Sequence, residues 1–241
     1  MLRFFSKREV QEIMEKVEYV SSTAGEVVRI PNKLTPDILY LTGLILGDGC
    51  LPISRRYGVN NLYYQAVITS KDKEFLAKKI APIFKEVFEV NYISIKYYFH
   101  RGHSWNLIKR NKAIYRFFTR MIGLQRGNKS AKGEIPPIIK KMNPKESAPF
   151  IAGLVDSDIG KHASGMGSTF KSKKLVDDLI FFLNKSGIIA KHYGSHYKNN
   201  KYLQHDFTIP KSQIIKLKGL LEANYLPKRK ERLETLYSLA T

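Results

Sequence analysis

A chain of 241 residues, 43% of them hydrophobic, is long enough for one large domain or two small ones and too apolar for a disordered segment. Its net charge of +20, from 41 Lys and Arg against 21 Asp and Glu, is spread along the chain and points to a polyanionic partner. Cys50 is the single cysteine, which excludes an intrachain disulfide and a thiolate zinc cluster and fits a reducing, intracellular setting. The start "MLRFFSKREV" has no signal-peptide apolar core, and no run approaches the roughly 20 apolar residues of a membrane span.

Residues 1–34 read as an N-terminal helical leader. Ser6 and Glu9 form a capping box ahead of Val10, Ile13, Met14, Val17 and Val20 at helical spacing. "STAGEVVRIPNK" then reads as a short extended linker. A first half follows over 35–124. Thr35-Pro36-Asp37 combines a capping hydroxyl, a first-turn proline and an acid, and the apolar helix it starts runs to Asp48-Gly49. Strands are expected near 50–57 and at "LYYQAVITS" (62–70), then an amphipathic helix over 71–88. A hairpin turning near Gly102 and a helix ended by Gly123 close the half.

A basic connector with Gly and Pro occupies 125–146, and a second half fills 147–241. Its helix, 147–158, leads to a strand at about 162–170 and the helix "KKLVDDLIFFLNKSG". Strands near 189–197 and 201–209 precede helices around 211–222 and 228–239. The second half is thus a shorter, divergent copy of the first.

Two phrases carry the chemistry. "LTGLILGDG" (41–49) and "IAGLVDSDIG" (151–160) each end an apolar helix on an aspartate, Asp48 and, 110 residues later, Asp158. Gly43 and Gly47 lie on one helical face, as do Gly153 and Ser157. Small residues at this spacing let two helix backbones approach, which would place Asp48 and Asp158 side by side at two helix C-termini. Carboxylates there are tolerable with a hard cation between them, and oxygen ligands favour Mg²⁺. Such an ion can activate water and stabilise a leaving oxygen in phosphodiester hydrolysis. Each aspartate is followed by a strand ending in x-T-x-K-x-K, "ITSKDK" (68–73) and "STFKSK" (168–173). Lys71 and Lys171 would then stand near the scissile phosphates, with Lys73 and Lys173 one step into the following helix.

On these motifs the chain resembles the LAGLIDADG homing endonucleases, in the single-chain form that carries two motifs, and its first half is most similar to archaeal members. The resemblance covers about 36–241. It implies an α+β, pseudo-twofold fold of two αββαββα halves, whose antiparallel sheets form a saddle in the DNA major groove. It implies that Asp48 and Asp158 bind metal, helped by the carbonyls of Gly47 and Ser157, with Mn²⁺ or Ca²⁺ able to substitute for Mg²⁺ in binding. It also implies cleavage of both strands of a long asymmetric target, leaving short 3′ overhangs, by a monomer in the cytoplasm of a prokaryote, archaeal by its nearest resemblance, or in an organelle. The sequence departs from the family pattern at Leu46, which replaces an acid that the second copy keeps as Asp156, at Ser70 and Phe170, and at Ile159, where the family has glycine. A β-branched residue resists positive φ, so the second helix either exits differently or is strained.

The strands carry donors, acceptors and planar faces suited to DNA: Arg55, Arg56, Tyr63, Gln65, Lys96, Tyr98 and Arg101 in the first half, and Lys191, His192, Tyr193, Lys198, Lys201 and Gln204 in the second. Strand alternation turns about half of them to DNA. Trp105 reads as core. His192 and His196, four apart in a strand, do not form the converging pair of a zinc enzyme. The alternative function on the same scaffold is an RNA maturase or a DNA-binding protein without cleavage. A basic ribosome-associated protein would leave the paired acids unexplained.

Overall fold

The computed structural model describes residues 19–21, 26–55, 62–99, 102–127, 132–162, 164–198 and 202–240. The capping box of the leader and its helix as far as Val17 lie outside these residues; Val20, expected on that helix, is instead in a strand paired with Val28. The stretch read as a linker is part of the fold. Strand β1 (Tyr19–Ser21) pairs antiparallel with β2 (Val27–Arg29), and Val28 and Ile30 are buried. Glu26 accepts from Lys109 and Asn111, so the buried Lys109 ammonium is paired rather than stranded.

The first half opens with helix α1 (Pro36–Leu46), whose N-terminal N–H groups are met by the Thr35 hydroxyl at Ile38. It is apolar all round because it is enclosed all round: Ile38 to Leu46 are all buried. Strands β3 (Gly49–Cys50), β4 (Ile53–Arg55), β5 (Leu62–Ser70), β6 (Ser94–Tyr98) and β7 (Ser104–Arg110) form one antiparallel sheet. Its order is β3-β5-β7-β6, with β4 also on β5. Ala66, Ile68 and Leu107 face the helices and the core. Val67 and Ile108, paired with each other, lie on the opposite face. Helix α2 begins with wide turns over Phe75–Ile80 and continues as Ala81–Phe88. The widening precedes Pro82, and the Ala81 N–H reaches back five residues to Leu76 O, relieving the crowding a proline ring imposes on the turn before it. Helix α3 (Lys112–Arg116, continuing through Phe117–Ile122) starts on the Asn111 side chain and stops at Gly123, φ 92°.

Among its described residues the connector has a short helix, α4 (Pro137–Lys140). Helix α5 (Ala148–Ser157) is buried throughout. The single strand expected near 162–170 is a hairpin, β8 (Gly160–His162) with β9 (Gly165–Phe170). The second sheet runs β10-β11-β9-β8, with β10 at Lys191–Lys198 and β11 at Tyr202–Pro210. Helix α6 (Lys173–Lys185) covers its inner face, and α7 (Lys211–Asn224) and α8 (Lys230–Leu239) complete the half.

Candidate functional site

The centre of the molecule is the contact of α1 with α5. A Cβ on Gly43 would stand 2.2 Å from Phe150 O, and one on Gly153 would stand 2.2 Å from Tyr40 O. The two glycine Cα atoms are thus in mutual contact across the pair, and no other residue leaves room for backbone against backbone. One turn on, a Cβ on Gly47 would meet Ser157 Oγ at 1.9 Å and Asp158 Oδ2 at 3.1 Å. Ser157 donates its hydroxyl to its own helix, 2.9 Å from Gly153 O, and fills the space that a side chain at Gly47 would need. The pairing of small residues therefore brings the Asp48 and Asp158 chain ends together. Both acids are half-buried and line one cleft of about 650 Å³, with Lys171 and Gln204 on its wall. Asp48 also lines a second cleft, of about 770 Å³, with Lys71 and Ser157.

Lys71 is exposed and Lys171 half-buried, both where a sheet strand ends. The next lysines are spent on the helix side: Lys73 lies 4.6 Å from the centre of the Trp105 ring, and Lys173 pairs with Asp177 at 2.7 Å. Trp105 also packs on Tyr97, ring centres 5.0 Å apart. The two strand ends share a finer device. Thr69 donates to Asn106 Oδ1 at 2.9 Å, and Thr169 donates to Asp206 Oδ1 at 2.7 Å, each across the same strand pair.

The two helix exits differ in path but not in strain. Neither Gly49 nor Ile159 has a positive φ; among the described non-glycine residues only Glu89 and His103 do. Gly49 is required by space, since a Cβ there would meet Val67 O at 2.6 Å. In the second half the Ile159 N–H joins the Asp158 N–H on Leu154 O, both at 2.9 Å, and the Ile159 side chain is buried. The extra residue is absorbed by one wide turn, so strain at Ile159 is corrected to a different exit.

Register settles which strand residues share the open face, away from the helices. In the first sheet Tyr63, Gln65 and Thr69 of β5 align with Arg110 and Asn106 of β7, and Lys96 and Tyr98 of β6 align with Asn106 and Ser104. In the second, Lys191 aligns with Thr208 and Gln204 with His196, and the bulge after His192 keeps Tyr193 on that side, its ring 6.3 Å from that of His162. His192 stands opposite core Phe207 on the helix side. There Ser195 Oγ lies 3.2 Å from His192 Nε2 and 2.8 Å from His205 Nδ1. Burial first, then the His192 charge, holds the His205 ring below its ordinary value. Arg55 pairs with Leu62, on the same side as Tyr64. Arg56, Arg101 and Lys201, and the side chain of Lys198, lie outside the described residues. Sequence reasoning passed over Arg110, which follows Asn106 and Ile108 at period two and stacks 5.3 Å over Tyr63.

Asp156, the acid kept from the motif, is not part of either cleft. It is fully buried and accepts from Tyr40 Oη at 2.5 Å, Lys228 N–H at 2.6 Å and Arg229 N–H at 3.0 Å. Burial raises its carboxyl above the ordinary range, while the Tyr40 bond, the two backbone bonds and Arg229 pull it back. Burial and the Asp156 charge drive the Tyr40 hydroxyl upward. Nearby Tyr225 donates to Asp37 and stacks on Tyr40 at 5.3 Å. The chain before α8 is thereby pinned to the central helix pair.

Homing endonuclease I-DmoI of Desulfurococcus mucosus is 28% identical over 150 residues, 62% of this chain and 70% of that protein. A structure of I-DmoI variants matches with TM-score 0.62 and 22% identity over 84% of this chain and 97% of that one. The chain has the fold of the LAGLIDADG homing endonucleases. The homing endonuclease I-WcaI, bound to its DNA recognition sequence, matches at TM-score 0.52 and 16% identity over 98% of this chain and 95% of that one. No protein-family model matches. In this fold the expected antiparallel sheets are present, and the small-residue faces pack as their spacing required.

The donor set suits a hard cation. Asp48 and Asp158 line one cleft, and among the described residues no group of three or more His, Cys, Asp or Glu side chains converges, so these two carboxylates are the side chains there that could hold a metal. An ion that keeps waters and takes substrate phosphate oxygens, as Mg²⁺ does, fits such a set, whereas an ion needing a full protein cage does not. No helix of the described residues is long and apolar enough to cross a membrane.

Proposed function

We propose that this chain is a site-specific double-stranded DNA endonuclease that hydrolyses one phosphodiester bond in each strand with a divalent cation. The observation that carries the reading is the joining of Asp48 and Asp158 through the Gly43–Gly153 contact, with a lysine on the wall of each cleft. The DNA partner follows the relatives: I-DmoI has been crystallised in complex with DNA and Ca, and in complex with DNA and Mn.

In this reading Asp48 and Asp158, with the Gly47 and Ser157 carbonyls, would hold Mg²⁺. Bound there, such an ion polarises the scissile phosphate and the attacking water. Lys71 and Lys171 each set a positive charge where negative charge grows on the phosphorus oxygens. Tyr63, Gln65, Lys96, Tyr98 and Arg110 of the first sheet, with Lys191, Tyr193 and Gln204 of the second, contact a long asymmetric target from the open faces. One chain carries both halves, so a monomer cuts both strands, leaving short 3′ overhangs. We place it in the cytoplasm of a prokaryote, archaeal by its relative.

The test is incubation with duplex from the host locus lacking the insertion, with Mg²⁺. One double-strand break at a unique position is expected. Tight binding without a break would convert the reading to a DNA-binding protein, and preference for structured RNA over that duplex would convert it to a maturase.

A further inference from the structure

The cleft that holds Asp48 and Lys71 is closed by residues from the other half. Arg229, Lys230, Glu231, Arg232 and Glu234, at the start of α8, line it beside Ser157. The crossing is reciprocal, because Gly127 and Gly133, from the connector after the first half, line the cleft of Asp158 and Lys171. The start of α8 is held rigidly there. Asp156 takes the Lys228 and Arg229 N–H groups, Arg229 Nη2 donates to Ser70 Oγ at 3.0 Å, and its guanidinium lies 4.6 Å from the centre of the Phe75 ring. Leu236 is fully buried behind it.

Of the charges in this cleft, most have a partner. Asp72 accepts from the Phe75 N–H at 3.0 Å and starts α2. Lys230 and Glu234 pair at 3.7 Å. Glu231 sits in the first turn of α8, where a negative charge meets the helix dipole. Arg229 is engaged with Ser70 and Phe75. Arg232 makes no ion pair among the described residues, and its Nε, like that of Arg229, is buried with no hydrogen-bond partner. Its guanidinium reaches over the strand that follows Asp158; a Cβ on Gly160 would stand 1.9 Å from Arg232 Nη1. A half-buried guanidinium on the wall of this cleft, without an ion-pair partner among the described residues, is matched by a phosphate, which accepts two parallel N–H bonds.

We infer that Arg232 is a phosphate-binding residue, delivered by the second half to the DNA strand cut at the Asp48–Lys71 site. Glycine at 160 leaves the space its guanidinium occupies. The inference rests on the endonuclease reading and names one more residue that touches the substrate.

The experiment follows each strand of an end-labelled target duplex separately, using the full chain. Arg232→Gln should slow one strand at least about tenfold and the other less than twofold, and the slowed strand should be the one slowed by Lys71→Met. Arg232→Lys, which keeps the charge but not the fork, should recover part of the rate. In Ca²⁺ the log–log salt slope of binding should fall by about 0.9 for Arg232→Gln, the loss of one phosphate contact. Thermal melting of the free protein should not change, and a purely structural arginine would lower it without moving the salt slope. Equal slowing of both strands, no slowing, or slowing of the strand that Lys171→Met affects would overturn the inference while leaving the endonuclease reading intact. If Lys71→Met proves silent, one-strand selectivity with the altered slope decides alone. A wild-type protein that cuts neither strand would remove the endonuclease reading itself; Arg232 would then stand or fall on the salt slope.

Discussion

Asp48 and Asp158 stand at the C-terminal ends of two helices whose dipoles already place negative charge there. Such a position is poor for a bare carboxylate and good for one that shares a cation. Asp48→Asn or Asp158→Asn should therefore abolish double-strand cleavage while leaving DNA affinity within about twofold, since the change removes negative charge from a surface that meets phosphate; nicking and binding assayed in parallel check it, and full cleavage by either variant would remove the metal assignment. The lysines act differently. Lys71 has no hydrogen-bond or ion-pair partner among the described residues, so its charge is available to the transition state. Lys71→Met should lower the cleavage rate at least about tenfold with little change in affinity, and Lys171→Met should do the same for the other strand. Normal single-turnover rates in both would reduce these lysines to helix openers.

At the scale of elements, two contacts hold the site. The first is backbone against backbone at Gly43 and Gly153. In Gly153→Ala the new methyl meets Tyr40 O at 2.2 Å, and only a shift of one helix relieves it. Overpacking of this kind costs about 1–3 kcal/mol, and a displacement of about 1 Å at a reacting centre can cost on the order of a hundredfold in rate. Chemical denaturation should show the stability loss, and cleavage should fall much further than affinity. The second contact is Asp156, which binds Tyr40 and the two N–H groups before α8. Asp156→Asn keeps one acceptor and sets an NH₂ group against donors. The cost should be about 1–3 kcal/mol for groups left unsatisfied, read as a lowered denaturation midpoint, with faster proteolysis of the 225–240 segment before global unfolding. An unchanged midpoint would mean that α8 is held by its apolar contacts alone.

Over the whole molecule, the +20 charge and two open sheet faces make binding an electrostatic event first. Affinity for duplex should fall steeply with salt, with a log–log slope of about −0.9 for each phosphate neutralised; fluorescence anisotropy across a salt series measures it. A salt-insensitive affinity would point to a partner other than duplex nucleic acid. Each half's trailing segment crosses into the other half's cleft, so each cleft is walled by residues of both halves.

Much of this was legible in the chain. The paired helices, their small-residue faces, the acids at their ends and the T-x-K strand ends are local patterns, fixed by periodicity and by which residues can stop a helix. Strand alternation could say that half of the candidate base-contacting residues share a face, but not which half. Register decided that, placing Gln65 and Arg110 together and His192 behind the sheet. Glycine at 49 looked like a demand for positive φ and proved to be a demand for space, because the strand carbonyl that crowds it comes from Val67, distant in sequence. Asp156 and Arg232 were hidden for the same reason. Composition and spacing determined a basic, duplicated protein with two acids at a helix seam; the pinning of α8 across that seam depends on contacts between residues 72 and more positions apart, and these exist only once the chain has folded.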